Sequence, residues 1–201
     1  MNSAGTTLYV ADSFNHLIRA VSIPGGVVTT VAGTVVAGVG QSGRTNGAAL
    51  SSKFLNPQGL CLNSAGTTLF VADTGNNEIR AIDLVGGTVS LFAGSTTGAT
   101  GLLNGTGTSA RFNSPRDIEL DPATGNYYIA DYTNDQIRLM TPAGVVSLRA
   151  GSPTGVPGIA DGSGSVATFS GPSGLAAIYA PCASVIVYIA DNTNTLIRAM
   201  K

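Results

Sequence analysis

Four times along the chain an apolar run closes on an aspartate that is followed by asparagine three residues later and by Ile-Arg six and seven residues later. The runs LYVAD, LFVAD, YYIAD and VYIAD end at Asp12, Asp73, Asp131 and Asp191, at intervals of 61, 58 and 60 residues. The asparagines are Asn15, Asn76, Asn134 and Asn194, and the arginines are Arg19, Arg80, Arg138 and Arg198. A fixed period of this length constrains the fold more than any local propensity does. Each period must be one supersecondary unit that buries its apolar face against its neighbours.

Two more landmarks keep the same register. A β-like run ends in Ala-Gly at Gly33, Gly94 and Gly151. An Asn/Asp-Gly pair (Asn46-Gly47, Asn104-Gly105, Asp161-Gly162) precedes a Phe-x-x-Pro motif at Phe54/Pro57, Phe112/Pro115 and Phe169/Pro172. The unit therefore reads as four short strands. Strand a follows the proline (Gly59–Leu62, Asp117–Leu120, Gly174–Ile178), strand b is the run before the aspartate, strand c carries Ile-Arg, and strand d ends in Ala-Gly. Runs of four to six residues, rich in Val, Ile, Tyr and Thr and bounded by Gly or Asn, suit strands rather than helices.

A four-stranded antiparallel unit repeated at this spacing is a propeller blade. The long stretch from each Ala-Gly to the next Phe is the crossing from a blade's outer strand to the next blade's inner one, on the order of 14 Å. The expected architecture is an all-β propeller in one segment over 1–201, with repeat units near 1–53, 54–111, 112–168 and 169–201. It holds about three and a half blades, in the order b-c-d, a-b-c-d twice, and a-b-c. The a–b turn of the last unit, Tyr179–Val185, is longer than the others and contains Pro181 and Cys182. MNSAGTTLYVAD at the start matches Leu62–Asp73, so the chain opens inside a repeat and reads as an excerpt of a longer protein.

These motifs resemble the NHL-repeat family, in which a strand ending in Val-Ala-Asp is coupled to Asn-x-x-Ile-Arg, and the likeness spans nearly the whole chain. It departs locally: the Asn-His pair typical of the family is kept only at Asn15-His16. The resemblance implies blades of a β-propeller, with recognition on the loops that do not repeat.

A catalytic group is needed once, whereas a residue present in every blade solves one packing problem each time. Asp12, Asn15, Arg19, Asp73, Asn76, Arg80, Asp131, Asn134, Arg138, Asp191, Asn194 and Arg198 are accordingly expected to be structural. Asp and Asn would tie the b–c turn, and Arg would reach a carbonyl or carboxylate between neighbouring blades. The binding candidates are the unrepeated crossings Thr34–Lys53, Ser95–Arg111 and Ser152–Thr168.

Catalytic and cofactor readings find few residues to work with. His16 is the single histidine and takes a turn position. Cys61 and Cys182 fall at different repeat positions, either as buried thiols or as a disulfide, so no zinc site assembles from them. No G-x-S-x-G elbow accompanies His16. The expectation is a non-enzyme without cofactor or metal. Net charge is −1, and Lys53 and Lys201 are the only lysines, which argues against nucleic acid. No apolar run approaches the ~20 residues of a membrane helix.

Asn104-Gly105-Thr106 matches a glycosylation acceptor. A low-charge surface rich in Ser, Thr and Gly favours an extracellular or cell-surface protein that binds protein or glycan. The alternatives are a cytosolic sensor module of a larger protein, or a propeller hydrolase or lyase whose site lies elsewhere. An open arc leaves apolar blade faces at both ends, so self-association through the end blades is expected.

Overall fold

Val, Ile, Tyr and Thr suit a pleated, half-buried ribbon, and each apolar run turns back on itself to pair with the Ile-Arg run that follows. The computed structural model, which describes residues 1–179 and 185–201, is all-β. Strands β1 (Thr7–Asp12), β2 (Leu17–Ser22) and β3 (Val28–Ala32) form the first antiparallel sheet. A small hairpin, β4 (Val35–Val36) and β5 (Val39–Gly40), decorates the first crossing.

Next come β6 (Gly47–Ala48), β7 (Leu60–Leu62), β8 (Thr68–Asp73), β9 (Glu78–Asp83) and β10 (Thr88–Gly94), arranged β6-β10-β9-β8-β7. The third sheet repeats this plan with β11 (Gly105–Thr106), β12 (Pro115–Leu120), β13 (Tyr127–Asp131), β14 (Gln136–Met140) and β15 (Val145–Ala150). The fourth contains β16 (Pro172–Tyr179), β17 (Val185–Asp191) and β18 (Leu196–Met200). Blade 1 thus has strands b, c and d, blades 2 and 3 have all four, and blade 4 has a, b and c. No helix among the described residues is long and apolar enough to cross a membrane.

The crossings differ from the expected plain connections. Each of the first two adds a fifth, outermost strand to the blade it leads into: Gly47 pairs with Val89, and Gly105 with Val146. The crossing thereby covers the open N–H and C=O row of strand d, which would otherwise be a bare sheet edge. The b–c turn is a single 3-10 turn (Ser13–Asn15, Thr74–Asn76, Tyr132–Asn134) that closes on a left-handed residue, His16, Asn77 or Asp135. The glycine of each Ala-Gly is needed for two reasons. Gly94 sits at φ +117°, and a Cβ there would lie 3.0 Å from the Asn77 carbonyl oxygen.

The core lies between blades. Ile18, Phe54, Leu69 and Val71 join blades 1 and 2; Phe70, Ile79, Phe112 and Ile129 join blades 2 and 3; Tyr128, Ile137, Phe169 and Ile189 join blades 3 and 4. The outward faces of the terminal blades stay open, with Leu8 and Val10 exposed at one end and Ile178, Tyr188 and Ile197 at the other. The longer turn expected between Tyr179 and Val185, with Cys182, lies outside the described residues.

Candidate functional site

Strand b delivers its terminal aspartate to the end of the sheet where the crossing arrives, and strand c delivers its arginine alongside. In blade 2 the Leu55 N–H donates to Asp73 Oδ1 at 2.8 Å. Asn76 Nδ2 and Arg80 Nη1 donate to Asp73 Oδ2 at 2.8 and 3.1 Å. Arg80 Nη1 and Nη2 also bond the crossing, through the Lys53 and Thr45 carbonyls and Asn46 Oδ1. Asn76 Nδ2 also donates to the Gly43 carbonyl at 2.8 Å, and the Phe54 ring lies 5.2 Å from the guanidinium carbon.

Blade 3 reproduces the network atom for atom. Asp131 accepts from the Asn113 N–H, Asn134 and Arg138, while Arg138 donates to the Arg111 and Leu103 carbonyls and to Asn104 Oδ1. In blade 4 Asp191 accepts from the Ser170 N–H, Asn194 and Arg198, and Arg198 also reaches the Thr168 and Ala160 carbonyls and Asp161. Blade 1 is the exception. Asn15 donates to Asp12 at 2.8 Å, but Arg19 stands 4.0 Å from Asp12, and its side chain is 29% exposed.

Arg80, Asp73, Arg138 and Asp131 have no solvent exposure. Buried charges of this kind are tolerable only when paired and fully hydrogen-bonded. Burial pushes the Asp73 carboxyl up to about 6, while Asn76, the Leu55 N–H and Arg80 pull it down. Burial likewise raises Asp131 to about 6, opposed first by Arg138.

Two expectations about these residues need correction. The arginines bind the crossing that leads into their own blade, not a neighbouring blade, because the crossing passes directly over the start of strand c. The aspartate does not cap the turn amides. Its Oδ1 instead fixes the residue after the phenylalanine, and only Asn76 or Asn134 links it to the turn.

A second repeated contact does join neighbouring blades, and sequence reading missed it. The left-handed residue of each b–c turn offers a side-chain acceptor to the blade that follows. His16 Nδ1 accepts the Asn56 N–H at 3.2 Å, Asn77 Oδ1 the Ser114 N–H at 2.8 Å, and Asp135 Oδ1 the Gly171 N–H at 2.7 Å. The first residue of the turn adds a hydroxyl latch, Ser13 to the Pro57 carbonyl and Thr74 to the Pro115 carbonyl, at 2.6 and 2.7 Å. The available signal was chemical type: His, Asn and Asp share acceptor capacity although they look unlike as a column.

The residues that do not repeat are also engaged. Glu78, buried, pairs with Arg44 of the first crossing at 2.8 Å; burial raises its carboxyl to about 7. Arg44 also holds the Thr96 carbonyl of the second crossing. On the inner strand of blade 3, Asp117 and Glu119 accept the Leu175 and Ala177 N–H groups of blade 4 at 2.7 and 3.3 Å, and burial raises both carboxyls. Cys61 is a free, buried thiol pushed up to about 12 by burial. Cys182 lies outside the described residues. Among the described residues no three His, Cys, Asp or Glu side chains converge.

Successive antiparallel blades, stapled internally by Asp-Asn-Arg and to each other by turn latches, define a β-propeller array. Its repeats are similar to those of NHL-repeat proteins: a stretch of 86 residues, 42% of the chain, is 43% identical to NHL repeat-containing protein 2 of Bos taurus. Protein SUPPRESSOR OF QUENCHING 1, chloroplastic, of Arabidopsis thaliana is 36% identical over 99 residues, 49% of the chain. The matched stretches are 11% and 9% of those proteins. No family model matches.

Among solved structures, an auxiliary nutrient binding protein from Bacteroides ovatus superposes with a TM-score of 0.72 at 20% identity, covering 97% of this chain and 45% of that one. A streptogramin B lyase superposes at 0.61 and 12% identity over 100% of this chain and 49% of the other. At these identities the likeness is one of fold.

Proposed function

We propose that this chain is a non-catalytic NHL propeller scaffold that binds protein or glycan through its unrepeated crossings, in an extracellular or cell-surface setting. One observation carries the reading. In blades 2, 3 and 4 the repeated Asp, Asn and Arg side chains hydrogen-bond to one another and to the crossing, which supports a structural role for them and leaves recognition to the residues that do not repeat. The nutrient-binding description of the Bacteroides neighbour supports a binding role. The lyase neighbour favours a second reading, in which an enzyme site is completed by blades beyond these.

Self-association belongs to the same proposal. The exposed apolar residues on the outward faces of blades 1 and 4 are the driving surface, and the two ends differ, so contacts would be head-to-tail. Light scattering across a dilution series reads this directly, and a monomer throughout overturns it. For the main reading, the exposed residues of the crossings are exchanged for Gly or Ser, while the buried or paired Arg44, Asn46, Ala49, Asn104, Ala110, Asp161 and Ala167 and the glycines are kept. Glycan-array and protein-ligand binding should vanish while the melting transition survives. Turnover of a lactone or a streptogramin by the unaltered chain would instead establish the enzyme reading.

A further inference from the structure

Three places in the repeat recur at each junction between blades: one on strand b, one on strand d, and one on strand b of the blade that follows. At the first junction they hold Tyr9, Val31 and Leu69, and at the third Tyr128, Arg149 and Val187. At the second all three are aromatic: Phe70, Phe92 and Tyr127. The Phe70 ring packs steeply against the other two, at 61° and 63°, with centroids 4.7 and 4.8 Å apart. A pocket of about 460 Å³ between blades 2 and 3 is lined by these rings, a size that suits a small ligand.

Two departures from the other blades leave the space open. Leu84 packs into the apolar layer of the first junction and Leu139 into that of the third. Their counterparts at the second junction are Pro142, which is exposed, and Ala81, which ends at its Cβ. Tyr127 is buried, yet its hydroxyl has no hydrogen-bond partner among the described residues. Asp83 is the one charged side chain that lines the pocket among the described residues. It stands diagonally across the β8–β9 pair from Phe70, about 7–8 Å away. Its Oδ1 accepts the Val85 and Gly86 N–H groups at 2.9 Å, while Oδ2 has no partner among the described residues. The Gly86 and Val85 N–H groups hold this carboxyl below the ordinary aspartate value.

We infer that this pocket binds an alkylated ammonium group, with Phe70, Phe92 and Tyr127 as its electron-rich walls and Asp83 as the counter-charge. The third junction satisfies the same chemistry from within the chain. There Arg149 takes the place of Phe92 and stands beside Tyr128, whose hydroxyl donates to Asp121 at 3.3 Å. The second junction keeps aromatic and acidic partners but contains no cation of its own. Alkylation spreads the charge over methyl groups that rings can cover, whereas a bare ammonium would give up its water to a single carboxylate. The inference goes beyond what the crossings recognise, and each can fail without the other.

The test titrates choline into the full chain by calorimetry, against dimethylbutanol, its neutral isostere with carbon in place of nitrogen. Choline should saturate, and bind at least about tenfold tighter than the isostere. A peptide carrying trimethyllysine forms a second arm: tighter binding than choline assigns the group to a protein partner, and weaker binding to a free small molecule. Phe92→Val and Ala81→Leu borrow the residues of blades 1 and 3 at the same places, Val31 and Leu139. Each should weaken choline at least about tenfold. Asp83→Asn keeps the acceptor of its turn at an exposed position, so it folds whatever the core variants do. It should weaken choline and leave the isostere unchanged. Equal affinity for choline and the isostere, or undiminished binding by Asp83→Asn and by folded Phe92→Val, would overturn the inference. So would saturation by a neutral monosaccharide in preference to choline, or no saturation by either ammonium probe.

Discussion

His16 of the first blade accepts the backbone N–H of Asn56 in the second through its Nδ1 atom, at 3.2 Å. The contact requires an imidazole nitrogen without a proton, and it is the first link of a series continued by Asn77 to Ser114 and Asp135 to Gly171. Each described junction between blades is therefore held by directed hydrogen bonds, this acceptor contact among them, in addition to the apolar layer.

The latch can be separated from the turn it sits on. Asn77 occupies a left-handed conformation at φ 58°, where glycine is the easier residue. Asn77→Gly therefore keeps the backbone comfortable and removes the acceptor for Ser114, together with the long 3.3 Å bond from Asn77 Nδ2 to the Gly98 carbonyl. The expected loss is about 1 kcal/mol in urea denaturation, because a half-buried N–H is left unmatched. A variant as stable as the parent would show that the Asn77 acceptor adds nothing to the junction.

The arginines should divide by position. Arg80→Ala strands Asp73 in a buried site and is expected to cost about 3–5 kcal/mol. Arg19→Ala removes a half-exposed side chain 4.0 Å from Asp12, and the expected cost is under about 1 kcal/mol. Arg80→Lys should rescue little, since one ammonium cannot reach Asp73, two carbonyls and Asn46 together. Thermal melting of the three variants decides it, and equal shifts for Arg19 and Arg80 would contradict the assignment.

Acidity should stabilise the fold through part of the range. Asp73 and Asp131 rise from 3.8 to about 6, and Glu78 from 4.5 to about 7, in each case through burial. A carboxyl with a raised folded pKa holds its proton more tightly when folded. Stability is then greatest below the unfolded value and declines as pH climbs through the folded one. The melting temperature should fall between about pH 4 and pH 7, and Glu78→Gln should flatten the upper part of that decline. A melting temperature that rises across this window would reverse the sign.

Two glycines at one repeat position should behave oppositely. A Cβ on Gly59 would lie 2.5 Å from Asp117 Cα and 2.9 Å from the Arg116 carbonyl oxygen, both backbone atoms of the next blade. On Gly174 it would meet only Ala190 Cβ, at an ordinary 3.6 Å. Gly59→Ala should cost about 1–3 kcal/mol through overpacking, and Gly174→Ala well under about 1 kcal/mol. Chemical denaturation of the pair is the measurement, and a tolerated Gly59→Ala would mean that the inner strands of blades 2 and 3 separate easily.

The strand plan was legible because it rests on local chemistry repeated in register. Alternating β-branched residues, a turn after each aspartate and a glycine after each strand d place β8–β10 and β13–β15 without reference to anything distant. Edges were less clear: strand a of blade 4 begins at Pro172, two residues before the expected Gly174, because pairing with Asp191 extends it. The outermost strands β6 and β11 were missed altogether. Gly-Ala and Gly-Thr carry no strand propensity, and only a neighbouring edge in need of partners makes them strands.

By itself the sequence determined the period, the all-β class, the order of strands and the set of twelve residues that recur as a unit, since each is encoded in spacing and residue type. Which atoms those residues join was decided by the tertiary structure. Arg80 could have faced the next blade, its own turn or solvent. It faces Thr45 and Lys53 because the crossing, some thirty residues away, happens to lie over strand c. The same holds for His16 with Asn56. Such contacts depend on directions and distances between segments remote in sequence, and no local pattern carries that information.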